Sequence, residues 1–327
     1  MKKRTIIDMH VHYVPELYRN ALETNGLGKP DGMPYLPKWN KEHHFEFNEK
    51  MGISASILSI SSPFVHFGND KDAISLARSI NEYSSELVSE YPDKFGYYAT
   101  LPVPNVEGSI NELHYAYDTL DADGVMLPSN SNGVYLGDKS FEPLMIELNN
   151  KKSVVLIHPT KPSVVPDNVL QGYPIPMLEF MFDTTRAVAN LIFTNSFKRY
   201  PDIQWIIPHG GAALSILADR MQSIATNFGP NGNDPEPLNV LATLQNLHYD
   251  IAGFPFPRQI AALKELVPAS KLMYGSDWPF TKPNVCEDHL QNVINSNTFT
   301  EAELDEILNN NTLRLFPRLG KYYSEVN

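Results

Sequence analysis

The sequence predicts a (β/α)₈ barrel, an α/β fold in which eight parallel strands are enclosed by helices. Three observations support this prediction. Short β-branched or apolar segments alternate with amphipathic segments of helical spacing along the whole chain. Eight such strand–helix units can be counted, the number that closes a barrel. No G-x-G-x-x-G motif follows the first strand, which disfavours an open, doubly wound sheet.

The strands are assigned to the β-branched and apolar runs, and the helices to the amphipathic segments between them. The predicted strands are Thr5–His12, Ala55–Ser61, Gly96–Pro102, Gly124–Leu127, Val154–His158, Trp205–His209, Leu247–Ile251 and Lys271–Gly275. The predicted helices include Ala73–Tyr91, Ser109–Thr119, Phe141–Asn150, Met177–Tyr200, Ala212–Thr226, Pro257–Leu266 and Asp288–Asn295. These elements account for most of the chain.

Two segments fall outside this alternation. Residues Val14–Lys41 are too long for an ordinary βα loop and rich in Pro and Gly, so we expect an insertion over the barrel mouth. Residues Thr300–Leu319 are expected to add C-terminal helices outside the barrel. Because no repeat, charge block or low-complexity linker divides the chain, residues 1–327 are predicted to form a single domain.

Charge and composition exclude several classes of protein. The 327 residues include 26 basic and 38 acidic side chains, a net charge of −12 that disfavours nucleic acid and membrane partners. Hydrophobic residues make up 42% and charged residues 20%, as in ordinary globular proteins rather than disordered ones. Cys286 alone cannot form an intrachain disulfide. The first residues also lack the apolar stretch of a secretory signal, so a cytoplasmic location is expected.

The first strand carries the strongest indication of chemistry. Asp8, His10 and His12 alternate with apolar residues, so these three side chains share one face of the strand and point into the barrel. Active sites of this fold lie at the carboxyl ends of the strands, where the two imidazoles could converge on one metal ion. An H-x-H pair alone is weak evidence, because nearby histidines are often packing or surface residues.

Three further polar residues stand at ends of predicted strands. His158 and His209 each end a strand, and Asp277 follows the eighth. Each alone could be a hydrogen-bonded loop residue, but together with His10 and His12 they form a set of four imidazoles and one carboxylate. Such a set without a thiolate suits Zn²⁺ or Mn²⁺. The fourth strand offers no lysine to bridge a second ion, so one divalent ion per chain is predicted.

These motifs resemble the amidohydrolase superfamily, specifically its amidohydrolase-related branch of metal-dependent decarboxylases. The resemblance rests on IDMHVH at Ile7–His12, HP at His158, HGGA at His209–Ala212 and YGSDWPF at Tyr274–Phe280. The segment from Trp39 to Ser61 is similar to the salicylate-type members, including 6-methylsalicylate decarboxylases. Aminocarboxymuconate-semialdehyde and γ-resorcylate decarboxylases are more distant relatives.

The resemblance implies a role for each matching position. His10, His12, His158 and Asp277 match the metal ligands, and His209 matches a histidine that acts as acid or base beside the metal. It also implies a homodimer or higher homo-oligomer. Arg220 matches an arginine that meets the substrate carboxylate, in some relatives across the dimer interface. Some relatives place arginines before the second strand where this chain has His44, Phe45 and Glu46, so those substrate contacts are not expected here.

The predicted function is removal of CO₂ from a small hydroxyaromatic acid of the salicylate type. A Lewis acid would stabilise the charge that develops when the carbon–carbon bond breaks, and Asp277 with His209 would protonate the ring. One alternative is a mononuclear hydrolase of lactones or amides that uses the same residues, and another is a metal-binding protein without turnover. The aromatic residues that could stack on a substrate ring are Tyr13, Trp39, Trp278 and Phe280. Asp250 is either a partner of the metal ligands or only a turn residue.

Overall fold

Eight parallel strands form one sheet in the order of the sequence. The structure is a computed structural model that describes residues 4–228 and 238–323. The strands are β1 Ile7–His12, β2 Ala55–Ser59, β3 Phe95–Thr100, β4 Gly124–Pro128, β5 Val154–His158, β6 Gln204–Ile207, β7 His248–Asp250 and β8 Leu272–Met273. Each strand pairs in parallel with its neighbour in sequence, so the predicted barrel and its strand order are confirmed.

The chain after β8 closes the barrel against β1. The Met9 amide donates to the carbonyl of Tyr274 at 3.1 Å, and the Asp277 amide donates to the carbonyl of His10 at 2.9 Å. The predicted eighth strand, Lys271–Gly275, is thus shorter as a regular strand but continues as extended chain beside β1. This closure places Asp277 next to the histidines of the first strand.

Helices surround the barrel and bury the outer faces of its strands. The α-helices of the described residues are α1 Glu16–Thr24, α2 Lys41–Met51, α3 Asp70–Glu90, α4 Val106–Asp118, α5 Glu142–Asn150, α6 Glu179–Phe193, α7 Ser196–Arg199, α8 Leu214–Phe228, α9 Val240–Asn246, α10 Arg258–Leu266, α11 Pro283–Asn295, α12 Glu301–Asp305, α13 Asn311–Leu315 and α14 Pro317–Tyr323. Among these helices, none has the length and apolar character needed to cross a membrane.

Several helix ends differ from the predicted ones for local reasons. Helices α3 and α4 begin three residues earlier than predicted because Asn69 and Asn105 cap their first turns with side-chain oxygens. The long helix predicted over Met177–Tyr200 is instead divided into α6 and α7, because Asn195 adopts a left-handed conformation with φ 58°. Helix α2 is absent from the predicted helices; Asn40 caps its first turn by accepting from the His43 amide.

The two segments outside the alternation lie at opposite ends of the barrel. The segment Val14–Lys41 contains α1 and a 3₁₀ turn at Pro30–Gly32, and Asp31 in that turn lines a cavity together with His158. The insertion therefore contributes to the barrel mouth, as predicted. At the other end, α12, α13 and α14 pack with a π-helical turn at Glu306–Asn310, whose Ile307 carbonyl accepts from the Tyr274 amide at 3.0 Å.

An ion pair holds the last helix against the strands. Arg318 on α14 donates to both carboxylate oxygens of Asp123 at 2.8 and 2.9 Å. The same guanidinium donates to the carbonyls of Pro92 at 3.0 Å and Phe95 at 2.7 Å. The Asp123 side chain is only 3% exposed, and besides Arg318 it accepts from the backbone amide of Tyr97 at 3.1 Å, so Arg318 is the cation that compensates its burial. The C-terminal helix is thereby fixed to the starts of β3 and β4.

We expect Arg318→Ala to lower the free energy of unfolding by about 3 kcal/mol, because the change leaves the Asp123 carboxylate buried without its cation. Urea unfolding of the two proteins measures the difference. Arg199→Ala is the matched control, since Arg199 pairs with Glu142 through side chains that are 43% and 39% exposed. Its expected cost is below about 1 kcal/mol. Equal losses in the two variants would contradict the assigned role of Arg318.

Candidate metal centre

Four histidines and one carboxylate meet at the carboxyl ends of the strands. One potential ligand atom from each of His10, His158, His209 and Asp277 lies within 4.8 Å of the others. His12 joins this group, because its Nε2 lies 3.2 Å from Nε2 of His10 and 3.3 Å from Oδ1 of Asp277. The structure therefore brings together all five residues that were singled out in the sequence.

Hydrogen bonds fix the orientation of two of these imidazoles. His10 Nδ1 lies 2.8 Å from Oδ2 of Asp250, and His158 Nδ1 lies 2.8 Å from the carbonyl oxygen of Pro159. A carboxylate or carbonyl oxygen can only accept, so each Nδ1 carries the hydrogen. In the neutral rings, Nε2 is left with a free lone pair that points into the cluster, as in metal-binding histidines.

The same argument applies to His12 through a hydroxyl. His12 Nδ1 lies 3.0 Å from Oγ of Ser59, and this hydroxyl donates its hydrogen to the carbonyl of Val11 at 3.0 Å. Because Ser59 has only one hydrogen to give, its oxygen accepts from Nδ1 of His12. His12 thus also presents a free Nε2 lone pair to the cluster.

His209 differs from the other three histidines. Its Nδ1 is buried and has no hydrogen-bond partner among the described residues, so no contact fixes its tautomer. Its Nε2 lies 3.9 Å from Oδ2 of Asp277, whereas Oδ1 of that carboxylate faces His10 and His12. His209 and Asp277 both have positive φ, 55° and 60°, a conformation that is costly for these residues and concentrates at functional sites.

Asp250, at the end of β7, connects two members of the cluster. Its Oδ2 bonds His10, and its Oδ1 accepts from the backbone amides of His209 at 2.9 Å and Ala252 at 3.0 Å. The side chain is fully buried. The sequence left two interpretations of Asp250, a partner of the metal ligands or only a turn residue. Its bonds to His10 and His209 favour the first.

Burial and mutual charge set the protonation of the cluster. Burial lowers the pKa of His12, of His158 and of His209, the last to about 4. Burial also lowers the pKa of His10, but the carboxylates of Asp250 and Asp277 outweigh it and raise this pKa to about 9. For Asp277, burial raises the pKa, but the surrounding imidazoles lower it overall. A divalent cation binds neutral imidazoles and an ionised carboxylate, so its binding at neutral pH would displace the extra proton that His10 holds.

The donor set fits one divalent metal ion. Nε2 of His10 and Nε2 of His12 lie 3.2 Å apart. Their lone pairs repel one another unless a proton or a cation lies between them. Imidazole nitrogens with one carboxylate oxygen, and no thiolate, are ligands that Zn²⁺ and Mn²⁺ both accept. Strand β4 reads Gly-Val-Met-Leu-Pro, so it brings no lysine to bridge a second ion.

A cavity of about 350 Å³ opens onto the cluster. Its lining is mostly apolar and includes His158, His209 and Asp277 on one side. The other lining residues are Pro30, Asp31, Met33, Ser61, Ser62, Pro176, Met177, Phe180, Met181, Gly253, Phe254, Phe280 and Thr281. Among these described lining residues there is no lysine or arginine. The size and apolar character suit a small planar ligand.

The aromatic residues expected to stack on a substrate fall into two groups. Phe280 lines the cavity, and its ring centroid lies 5.6 Å from that of His12. Tyr13 and Trp39 do not line it: they pack on each other with ring centroids 5.6 Å apart. Trp278 stacks on Phe47 in the core. Of the four rings, only Phe280 lines this cavity, whereas Tyr13, Trp39 and Trp278 are buried against other aromatic side chains.

The structure also shows where Arg220 and His44 lie, the two positions compared with arginines of the relatives. Arg220 is exposed on α8 and is not part of the cavity lining of its own chain. His44, where some relatives have an arginine, is fully buried, and burial lowers its pKa to about 3. Its ring nitrogens bond Trp39 and Ser56, so His44 is a neutral core residue.

Several residues of this site were not predicted from the sequence, among them Ser59 and Asp31. Ser59 ends β2 as the first polar residue after an apolar run, the same pattern that identified His158. Asp31 lies in the insertion, where no periodic pattern marks which side chains turn inward, so no sequence feature identified it.

Comparison with known proteins assigns this chain to a family. The family model described as amidohydrolase matches residues 7–318. The chain belongs to the amidohydrolase family. Among amidohydrolase relatives, decarboxylase yanB of Aspergillus niger is 31% identical, covering 95% of this chain and 87% of its own length. The 6-methylsalicylic acid decarboxylase acuB of Aspergillus aculeatus is 30% identical, covering 96% and 97% respectively.

Solved structures agree with this amidohydrolase assignment. An amidohydrolase II crystal structure matches with a TM-score of 0.90 at 34% identity, covering 96% of this chain and 100% of that chain. A dihydroxybenzoic acid decarboxylase from Polaromonas sp. JS666, solved with manganese and 2-nitroresorcinol, has a TM-score of 0.80 at 19% identity, covering 96% and 97%. The predicted decarboxylase branch and carboxy-lyase function are confirmed, and the hydrolase alternative is not supported.

Gly275 allows the close approach of His10 to the last strand. A Cβ at this position would lie 2.6 Å from Cβ of His10 and 3.3 Å from Cβ of Ala252. We expect Gly275→Ala to displace His10 and weaken Mn²⁺ binding by about tenfold or more, measured by isothermal titration calorimetry. Gly28→Ala is the control, because its nearest neighbour would be Cγ of Glu23 at 3.6 Å. Unchanged binding in Gly275→Ala would refute the packing argument.

Proposed function

We propose that this protein removes CO₂ from a small ortho-hydroxybenzoic acid, with one divalent metal ion as cofactor. The observation that carries the proposal is the set of three imidazoles, His10, His12 and His158, whose Nδ1 atoms are fixed by hydrogen bonds. Their Nε2 atoms are left free in the cluster that contains Asp277. This set opens onto an apolar cavity of about 350 Å³. The names of relatives with 6-methylsalicylic acid as substrate support the choice of acid.

The proposed ligands are His10, His12, His158 and Asp277. The hydrogen bonds of the three histidines leave their Nε2 atoms available, whereas His209 lacks such a bond and borders the cavity. When bound, Zn²⁺ or Mn²⁺ supplies a Lewis acid that orients the substrate oxygens and stabilises negative charge. The manganese in the Polaromonas decarboxylase supports Mn²⁺ as one candidate.

The remaining groups are placed to move a proton. Neutral His209 takes the phenolic proton at Nε2 and passes it to Oδ2 of Asp277, which also accepts a hydrogen bond from Thr281 at 3.2 Å. Oδ2 then protonates the ring carbon that bears the carboxylate. The bond to the carboxylate breaks, its electron pair remains with the ring, CO₂ leaves, and the phenolate regains a proton from water. Phe280 and the methionines of the cavity exclude water from the ring.

We expect metal-dependent release of CO₂ and a phenol from 2-hydroxybenzoates with methyl or hydroxyl substituents, measured with protein reconstituted with Zn²⁺ or Mn²⁺. Asp277→Asn should lower kcat by about 10²-fold or more, because it removes the proton carrier. His158→Ala should lose both metal and activity.

Two results would contradict this proposal. Full turnover by Asp277→Asn with its metal bound would exclude Asp277 as the proton carrier. No release of CO₂ from wild-type protein shown to contain metal would exclude the proposed substrate class.

We also propose a homodimer in which Arg220 reaches the cavity of the partner subunit. Besides the metal ion, a guanidinium could hold the substrate carboxylate, and the cavity lining within the described chain contains no lysine or arginine. Arg220 stands on an exposed stripe of α8 with Ile216, 67% exposed, Ile224, 46% exposed, and Phe228, 79% exposed. Their spacing of four residues places them on one helix face, as expected for a contact between subunits.

The cytoplasmic location stays a prediction.

Mixed dimers test the route of Arg220. Arg220→Ala alone should lower kcat/KM by about 10²-fold, the loss of one charged hydrogen-bond partner. Mixing it with His158→Ala chains should restore activity, because the metal-free subunit supplies Arg220 to the intact centre of its partner. In the control, Arg220→Ala chains are mixed with chains that carry both substitutions. This mixture should restore no activity, because neither chain supplies Arg220. Failure of the first mixture, with heterodimers shown to form, would place Arg220 outside the partner's site.

A further inference from the structure

A second buried carboxylate lies behind the metal-centre candidates. Asp183 on α6 is fully buried and accepts hydrogen bonds from Oγ of Ser129, Nδ2 of Asn130 at 2.9 Å, and the hydroxyl of Tyr135. All three donors belong to the short segment that follows β4. These three hydrogen bonds to one buried side chain hold the segment against α6.

Ser129 extends this contact to the strand that carries His158. The Ser129 amide donates to the carbonyl of His158 at 2.9 Å. The Ser129 hydroxyl gives its single hydrogen to Asp183, and its oxygen accepts from the amide of Thr160 at 3.1 Å. The backbone on both sides of Pro159 is therefore bonded to Ser129. Since His158 Nδ1 bonds the Pro159 carbonyl, this backbone also determines where the imidazole points.

Helix α6 meets the same imidazole from the cavity side. Phe180, one turn before Asp183, lines the cavity, and its ring centroid lies 6.2 Å from that of His158. Asp183 thus connects α6, which carries Phe180 in the cavity wall, to the chain around His158 through Ser129. Asn130 and Tyr135 bond the same carboxylate, but among the described residues neither forms a hydrogen bond with His158 or Thr160. Asn130 donates instead to the carbonyl of Lys161 at 3.4 Å.

We propose that Asp183, acting through Ser129, is a positioning residue for the metal ligand His158. The inference rests on the metal centre of the proposed function and adds to it a residue that touches neither metal nor substrate. Asp183 accepts the hydrogen of the Ser129 hydroxyl and so orients it, and Ser129 holds the backbone from His158 to Thr160 in place for Nε2 to face the other ligands. Loss of this contact loosens one ligand without removing it.

Two substitutions separate positioning from general stability. Ser129→Ala and Tyr135→Phe each delete one hydroxyl donor to Asp183, but only Ser129 also bonds the chain around His158. The readouts are the Co²⁺ dissociation constant and the visible absorption spectrum of the Co²⁺-loaded full chain, with thermal unfolding as the measure of stability. The spectrum reports ligand geometry directly and does not depend on turnover.

We expect Ser129→Ala to weaken Co²⁺ binding by about tenfold and to shift the visible bands, and Tyr135→Phe to change binding by less than about twofold. Asp183→Asn should follow Ser129→Ala. Both hydroxyl deletions should lower thermal stability. Equal binding and spectra in Ser129→Ala and Tyr135→Phe would overturn the positioning role while leaving the metal centre intact. Wild-type protein that binds no Co²⁺ would instead overturn the metal centre of the proposed function, and this inference with it.

Discussion

The barrel has to bury four imidazoles and a carboxylate within a few ångströms of one another, and the surrounding structure satisfies this constraint. Burial disfavours the protonated form of these rings, as the lowered pKa values of His12, His158 and His209 indicate, and each neutral ring still brings a polar N–H group into the interior. Three of the rings have an acceptor at or just beyond a strand end, namely Asp250 for His10, Ser59 for His12 and the carbonyl of Pro159 for His158. Because closure of the barrel brings Asp277 beside β1, the cluster forms only when the first and last strands meet.

The sequence predicted much of this arrangement because the relevant information is periodic and local. Alternation of polar and apolar residues in β1 shows that His10 and His12 share a face, and strand ends located His158, His209 and Asp277. The βα order then brings these ends together without further assumptions. Helix boundaries were less accurate, because capping by Asn69 and Asn105 depends on one side chain rather than on a repeated pattern.

Other features depend on contacts between segments that are distant in sequence. The aromatic character of Tyr13 and Trp39 suggested a substrate surface, but packing decides whether an aromatic ring faces a cavity or the core. Asp31 enters the cavity through an irregular insertion that has no periodicity. Asp183 resembles any polar residue in an amphipathic helix until the segment after β4 is placed beside it. Such residues are identified by their neighbours rather than by their position in a pattern.

The sharing of Asp250 has a consequence for how this site can change. One carboxylate orients His10 with Oδ2 and holds the backbone of His209 with Oδ1. Ligand strength and acid–base geometry are therefore coupled through a single side chain, so neither property can be adjusted there alone. An evolving or engineered variant that alters metal preference would be expected to do so elsewhere, at contacts that serve only one histidine. Ser59, which bonds His12 alone among the imidazoles, is such a position.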